Sequence, residues 1–120
     1  MAISKSSVTI KASASNGAGS STNGTEYDAS SASEGTLVCA KITNGATGPT
    51  VGCDFVVYTG ESTSTKREFS RQTAGTANNG VYEFAVEVPP SVMFVNVTFT
   101  GNTAQAVTVE CYGQALTGTA

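Results

Sequence analysis

Chemistry in this 120-residue chain would have to come from carboxylates, thiols, tyrosines or a short run of cations, because it contains no histidine. The commonest general base and any Ser-His-Asp arrangement are thereby excluded. Glu83 and Glu87 would share one face of a strand, but four residues at about 3.3 Å each set them about 13 Å apart. Either glycosidase geometry needs about 5–9.5 Å between its carboxyl groups. Glu110 could approach one of them across a sheet, yet a solvated polar face is the simpler reading of all three. Cys39, Cys53 and Cys111 are odd in number and have no C-x-x-C spacing, which argues against a disulfide scaffold and against a zinc site. A nucleophilic thiol would lack its His partner. The three read as reduced, buried thiols, with a Cys39–Cys53 bridge between adjacent strands as the alternative. No catalytic, cofactor or metal site is expected, and an enzyme is the least supported class.

Binding chemistry is better represented. Lys66, Arg67 and Arg71 form the positive cluster of an otherwise acidic chain and could meet an acidic patch on a partner protein or an anionic glycan. Edge protection and solubility explain the same residues without a ligand. Tyr27, Tyr58, Tyr82 and Tyr112 each offer an apolar face and a hydroxyl, the combination on which sugars stack. Tyr82 belongs to an apolar row and reads as core, whereas Tyr58 and Tyr112 sit among polar neighbours and are the surface candidates. Sugar-binding modules more often use Trp, which is absent, so ordinary packing competes with a glycan site. The stretch from Ala14 to Gly19 resembles a phosphate loop only in its glycines, since it has no Lys and opens no helix. Asn23-Gly24-Thr25 and Asn96-Val97-Thr98 match the glycosylation pattern by chance if the chain is not exported.

These residues are placed by strands. From residue 36 onward the apolar period is two: Tyr82, Phe84, Val86 and Val88 alternate with Glu83, Ala85 and Glu87, and Met93, Val95, Val97 and Phe99 follow after Pro89-Pro90. Val107, Val109 and Cys111 alternate with Thr108, Glu110 and Tyr112. These three segments read as consecutive antiparallel strands, a β-meander or part of a Greek key. Earlier strands are expected at 8–12, 37–43 and 52–59, and a charged edge strand at 65–71. The pattern predicts an all-β, antiparallel two-sheet β-sandwich or jelly roll in one domain, with its main core at 36–116. The expected core residues are Leu37, Phe55, Val57, Phe84, Val86, Val95, Val97 and Val109.

Residues 14–35 stand apart. Of these 22 residues, 18 are Gly, Ala, Ser, Thr or Asn, and Tyr27 is the only large apolar side chain. Fixing their backbone costs about 1–2 kcal/mol per residue, which their own side chains cannot recover by burial. The tract therefore reads as an extended arm or loop, expected to lie along neighbouring subunits. A formal net charge of −3 with six Lys and Arg gives no electrostatic case for nucleic acid. No segment has the run of about 18 apolar residues that a membrane span requires, and the N-terminus lacks the apolar run of a signal peptide. A soluble chain made in a reducing cytoplasm is expected.

A low-charge, Gly/Ser/Thr-rich β domain with a long Gly/Ser-rich arm resembles the small structural proteins of tailed bacteriophage virions, especially capsid decoration or cement proteins. The resemblance lies in length, composition and strand pattern, so it transfers no functional residue. It implies a virion-surface, non-enzymatic protein, made in the host cytoplasm, whose partner is the viral capsid protein. It also implies a homo-oligomer such as a trimer and no cofactor. Partner contacts would fall on Tyr27, Lys66, Arg67 and Arg71. The alternatives are a glycan- or host-binding β-sandwich on a virion or fibre, and a tail or neck component.

Overall fold

The computed structural model describes residues 2–30, 32, 34–60 and 66–119. Its elements are β1 (Ala2–Asn16), β2 (Thr22–Asn23), β3 (Tyr27–Asp28), β4 (Gly35–Asn44), β5 (Asp54–Gly60), β6 (Lys66–Thr73), β7 (Val81–Val88), β8 (Phe94–Thr100) and β9 (Val107–Thr119). All pairings among them are antiparallel. Sheet 1 runs β1-β9-β4-β7; sheet 2 runs β2-β8-β5-β6, with β3 also on β8. If β2 and β3 are taken as two halves of one interrupted strand, the eight resulting strands lie in the order 1-8-3-6 in one sheet and 2-7-4-5 in the other. That is the jelly-roll order, and it bears out the two-sheet, all-β expectation.

Of the two arrangements expected for the last three strands, the Greek key is found and the meander is not, because β7, β8 and β9 alternate between sheets. Pro89-Pro90 cannot continue the β7 ladder, and the chain crosses from sheet 1 to sheet 2 there; it crosses back after Gly101, whose φ is +93°. Alternation reports which residues face inward and is silent on which sheet carries them.

The core lies between the sheets. Phe55 is fully buried and stacks on Phe84 and Phe99, with ring centroids 6.1 and 5.3 Å away. Around them Ile10, Val38, Ile42, Val57, Val95, Val97 and Val109 are at most 1% exposed. Phe84 is only partly buried but packs on this cluster. Leu37, expected in the core, turns outward, and Val38, Ala40 and Ile42 turn inward in its place. Both alternating sets in Leu37–Thr43 contain apolar residues; Lys41 settles the phase, because a charged residue cannot face the interior unpaired.

The described residues of the tract at 14–35 do not leave the domain. Ala14 to Asn16 complete β1 against Val107 to Val109, β2 and β3 add to the edge of β8, and Ala29 and Ala32 are buried. The expectation that this tract lies along neighbouring subunits is therefore corrected: its backbone bonds to its own chain. Gly19 N donates to Asn102 O (2.9 Å), Gly24 N to Val97 O (2.9 Å), Thr25 N to Ile10 O (2.7 Å) and Ala29 N to Met93 O (2.7 Å). Short side chains are what permit this. A Cβ on Gly24 would stand 2.8 Å from Val97 Cγ2 and 2.9 Å from Ile10 Cγ2, so the chain reaches β8 there only as glycine.

Two fully buried amides lock the same tract. Asn16 Nδ2 donates to Asn102 Oδ1 (2.6 Å) and to Ser20 O (3.1 Å), while Thr22 Oγ1 donates to Asn16 Oδ1 (2.7 Å). Asn102 Nδ2 in turn reaches Asn16 O (3.2 Å) and Gln105 O (2.9 Å). Hydrogen bonds in a dry site thus replace the apolar burial that the sequence lacks. The domain also extends beyond 36–116 at both ends, since β1 and β9 pair from Ala2↔Thr119 onward.

Candidate functional site

The outer faces and edges of the two sheets carry every residue singled out for chemistry, apart from those that pack inside. On sheet 2 the edge strand β6 carries Lys66, Arg67 and Arg71, but its register with β5 turns Lys66 and Arg71 to the outer face and Arg67 to the other, so the three do not form one patch. Each of two cations has a carboxylate of its own chain. Lys66 Nζ pairs with Glu26 Oε2, and Arg71 donates through Nη1 to Asp54 Oδ2 (2.7 Å) and through Nη2 to Glu68 Oε1 (2.9 Å). These hydrogen bonds, to Glu68 first and Asp54 second, raise the proton affinity of the Arg71 guanidinium. Arg67 is exposed and makes no ion pair among the described residues; it borders a shallow depression with Thr59, Gly60, Ser91 and Val92. Thr65, which begins the expected edge strand, lies outside the described residues. The strand is further set off as an edge by a register shift that leaves Phe69 unpaired and 44% exposed.

Tyr27 is not with them at the surface. It sits in β3 opposite Val95 and packs against the core, while its neighbour Glu26 reaches out to Lys66. Tyr58 and Tyr112, the two surface tyrosines, lie on opposite faces of the sandwich, so they do not form one groove. Tyr58 borders a depression of about 370 Å³ on sheet 2 with Asn23, Lys66, Asn96 and Thr98. There Thr98 Oγ1 donates to Asn23 Oδ1 (2.8 Å) and Asn96 Oδ1 accepts from Val97 N (2.8 Å). Tyr112, 42% exposed, borders a depression of about 400 Å³ on sheet 1 with Cys39, Lys41, Glu83, Ala85 and Glu110.

In that second depression the register places Lys41 of β4 directly between Glu83 of β7 and Glu110 of β9. The two carboxylates are thus two strand spacings apart, about 9–10 Å, with a cation between them. Glu110 does approach across the sheet, but toward Lys41. Tyr112 donates to Glu110 Oε2 (3.3 Å), and its hydroxyl is pushed above the usual phenol range by partial desolvation and then by that carboxylate. Lys41 was not among the sequence candidates; its place on the polar side of Leu37–Thr43 was the available signal.

All three thiols are free. Burial, then Asp54, pushes Cys53 up to about 11, and burial, then Cys39, pushes Cys111 up to about 12. Cys39 faces outward from sheet 1 and is half-buried. An alkylating reagent at pH 8 is expected to modify one thiol, Cys39, promptly, and the other two only on unfolding; peptide mapping that finds Cys53 or Cys111 modified as fast as Cys39 would contradict these positions. Because the fold keeps both buried thiols protonated, their contribution to stability is present below pH 9 and is lost as pH rises toward 11–12.

No protein-family model matches the chain, and no curated protein matches it in sequence. Its shape does have counterparts. A chain in the structure of infectious bursal disease virus, Gx strain, superposes with a TM-score of 0.61 at 8% identity, over 96% of this chain and 32% of that one. The SPBc2 prophage-derived protein YomS gives 0.52 at 17% identity, over 98% and 96%. The K3 cleaved adhesin domain of Lys-gingipain from Porphyromonas gingivalis gives 0.53 at 13% identity, over 91% and 72%. These are likenesses of fold. The chain spans about a third of the viral protein's length and nearly all of YomS. Viral particles are thus among the places where this fold is used.

Proposed function

We propose that this chain is a non-enzymatic structural protein of a bacteriophage virion, a decoration or cement protein that binds the assembled capsid from outside as a homo-oligomer such as a trimer. The observation that carries the reading is a complete jelly roll, closed by its own tract of short polar side chains, on whose surface Lys66 and Arg71 are each paired with carboxylates of the same chain. Such a surface loses little on desolvation and lets another backbone come close. The fold likeness to a virus particle and to a prophage protein supports the same reading. Binding only the assembled lattice would stabilise it by mass action. The purified chain should therefore co-sediment with assembled particles from its source in a fixed stoichiometry, and should not bind the unassembled shell subunits. Its absence from purified particles would overturn the proposal; its presence at a vertex, tail or fibre in labelled electron micrographs would make it a neck or tail component.

A second reading, a glycan-binding module on a virion, draws on the Tyr58 depression, where an aromatic face, two amides and the Lys66–Glu26 pair converge. Glycan-array binding that Tyr58→Ala abolishes would favour it over the first.

A further inference from the structure

A four-stranded antiparallel sheet ends on two strands that run in opposite directions. In sheet 1 these are β1 and β7. Asn44 N donates to Gly80 O (2.8 Å), which sets the phase of the β4–β7 ladder: even-numbered residues of β7 bond to β4. Val81, Glu83, Ala85 and Glu87 therefore turn their backbone N–H and C=O toward the open edge. The same alternation carried across β4 and β9 leaves Lys5, Ser7 and Thr9 of β1 turned outward to its open edge. Beyond Thr9 that edge closes, because β1 shifts register and Thr25 takes the carbonyl of Ile10.

The edges of sheet 2 are guarded, β6 by charge and a bulge and β2/β3 by interruption. By contrast, β7 has an unbroken register from Val81 to Val88, no Lys or Pro within it, and Val81 53% exposed at its start. Its open edge carries two exposed carboxylates, Glu83 and Glu87, and the open edge of β1 carries the exposed Lys5.

We propose that β7 of one copy pairs antiparallel with Lys5–Thr9 of β1 in the next copy, continuing sheet 1 from subunit to subunit, head to tail. Direction, bonding phase and face agree at once: Lys5 falls opposite Glu87, Ser7 opposite Ala85, and Thr9 opposite Glu83. Pairing β7 with β7 would instead gather four carboxylates in one seam, and pairing β1 with β1 would leave Lys5 without an acid. Head-to-tail contacts close into a ring when their rotation permits. The inference concerns how copies meet and stands whether or not the assembly binds a capsid.

The test is sedimentation velocity of the full chain from about 10 μM to 1 mM, since a seam this short gives weak, concentration-dependent association. Mass should rise above the monomer. Ala85→Pro and Ser7→Pro each remove one open-edge N–H without touching the ladder to β4 or β9, and each should weaken association at least about tenfold. Glu83→Lys with Glu87→Lys should weaken it as well, and adding Lys5→Glu should restore it. A monomer at 1 mM overturns the proposal, and so does an effect of only one of the two prolines, which would mark a symmetric β7–β7 or β1–β1 seam. Should either proline variant fail to give the wild-type circular dichroism spectrum, the charge set decides: restoration by Lys5→Glu supports the seam and its failure refutes it.

Discussion

Phe55→Ala is expected to cost about 3–5 kcal/mol, the range for removing a buried aromatic ring and leaving a partly collapsed cavity. Phe55 has no exposed surface and is the ring on which both Phe84 of sheet 1 and Phe99 of sheet 2 stack, so its loss uncouples the two layers. Domains of this size are stable by about 5–15 kcal/mol, so the variant should be near the edge of folding. Denaturant titration should show a lower midpoint with little change in slope. A loss below about 1 kcal/mol would mean that the stack is not the centre of the core.

Asn102→Ala should cost about 2–4 kcal/mol, although the side chain is small and polar, because it strands several buried partners at once. Removing the amide leaves Asn16 Nδ2 without its 2.6 Å acceptor and the carbonyl of Asn16 without its donor in a buried site, and frees the carbonyl of Gln105 at the margin of that site. The effect should also be local. In the wild-type chain, studied alone, the amides of Gly19, Gly24, Thr25 and Ala29 should be protected from hydrogen exchange, and in the variant Gly19 and Gly24 should exchange faster while the β4 amides stay slow. Rapid exchange across this tract in the isolated wild-type chain would contradict the contacts described for it.

Much of the architecture was legible because charge and branching mark the two faces of each strand. Glu83 and Glu87 fix the phase of β7, and the Val95, Val97 and Phe99 row fixes that of β8. The phase of β4 was misread at Leu37 because Leu37 and Cys39 compete with Val38, Ala40 and Ile42 for the inner face. The tract at 14–35 was misread for a different reason: a composition argument prices apolar burial, whereas this tract is held by backbone ladder bonds and by Asn16 and Asn102, whose partner lies 86 residues away. Such pairing cannot be seen from either end. The edge strand that carries the cations was legible, but the turn of Arg67 to the other face and the pairing of Lys66 with Glu26 and of Arg71 with Asp54 were not, since the partners are distant in sequence.

The antiparallel pairing of Ala2 with Thr119 has a mechanical consequence. The two ends leave the domain side by side, so a force pulling them apart acts across the β1–β9 ladder and loads its hydrogen bonds one after another, as in a zipper. Strands loaded along their length would share the force among all their bonds at once; these do not. Tension applied through both ends should peel β1 from β9 at low force, whereas tension applied through one end and the outer face of sheet 2 would have to shear the packed core.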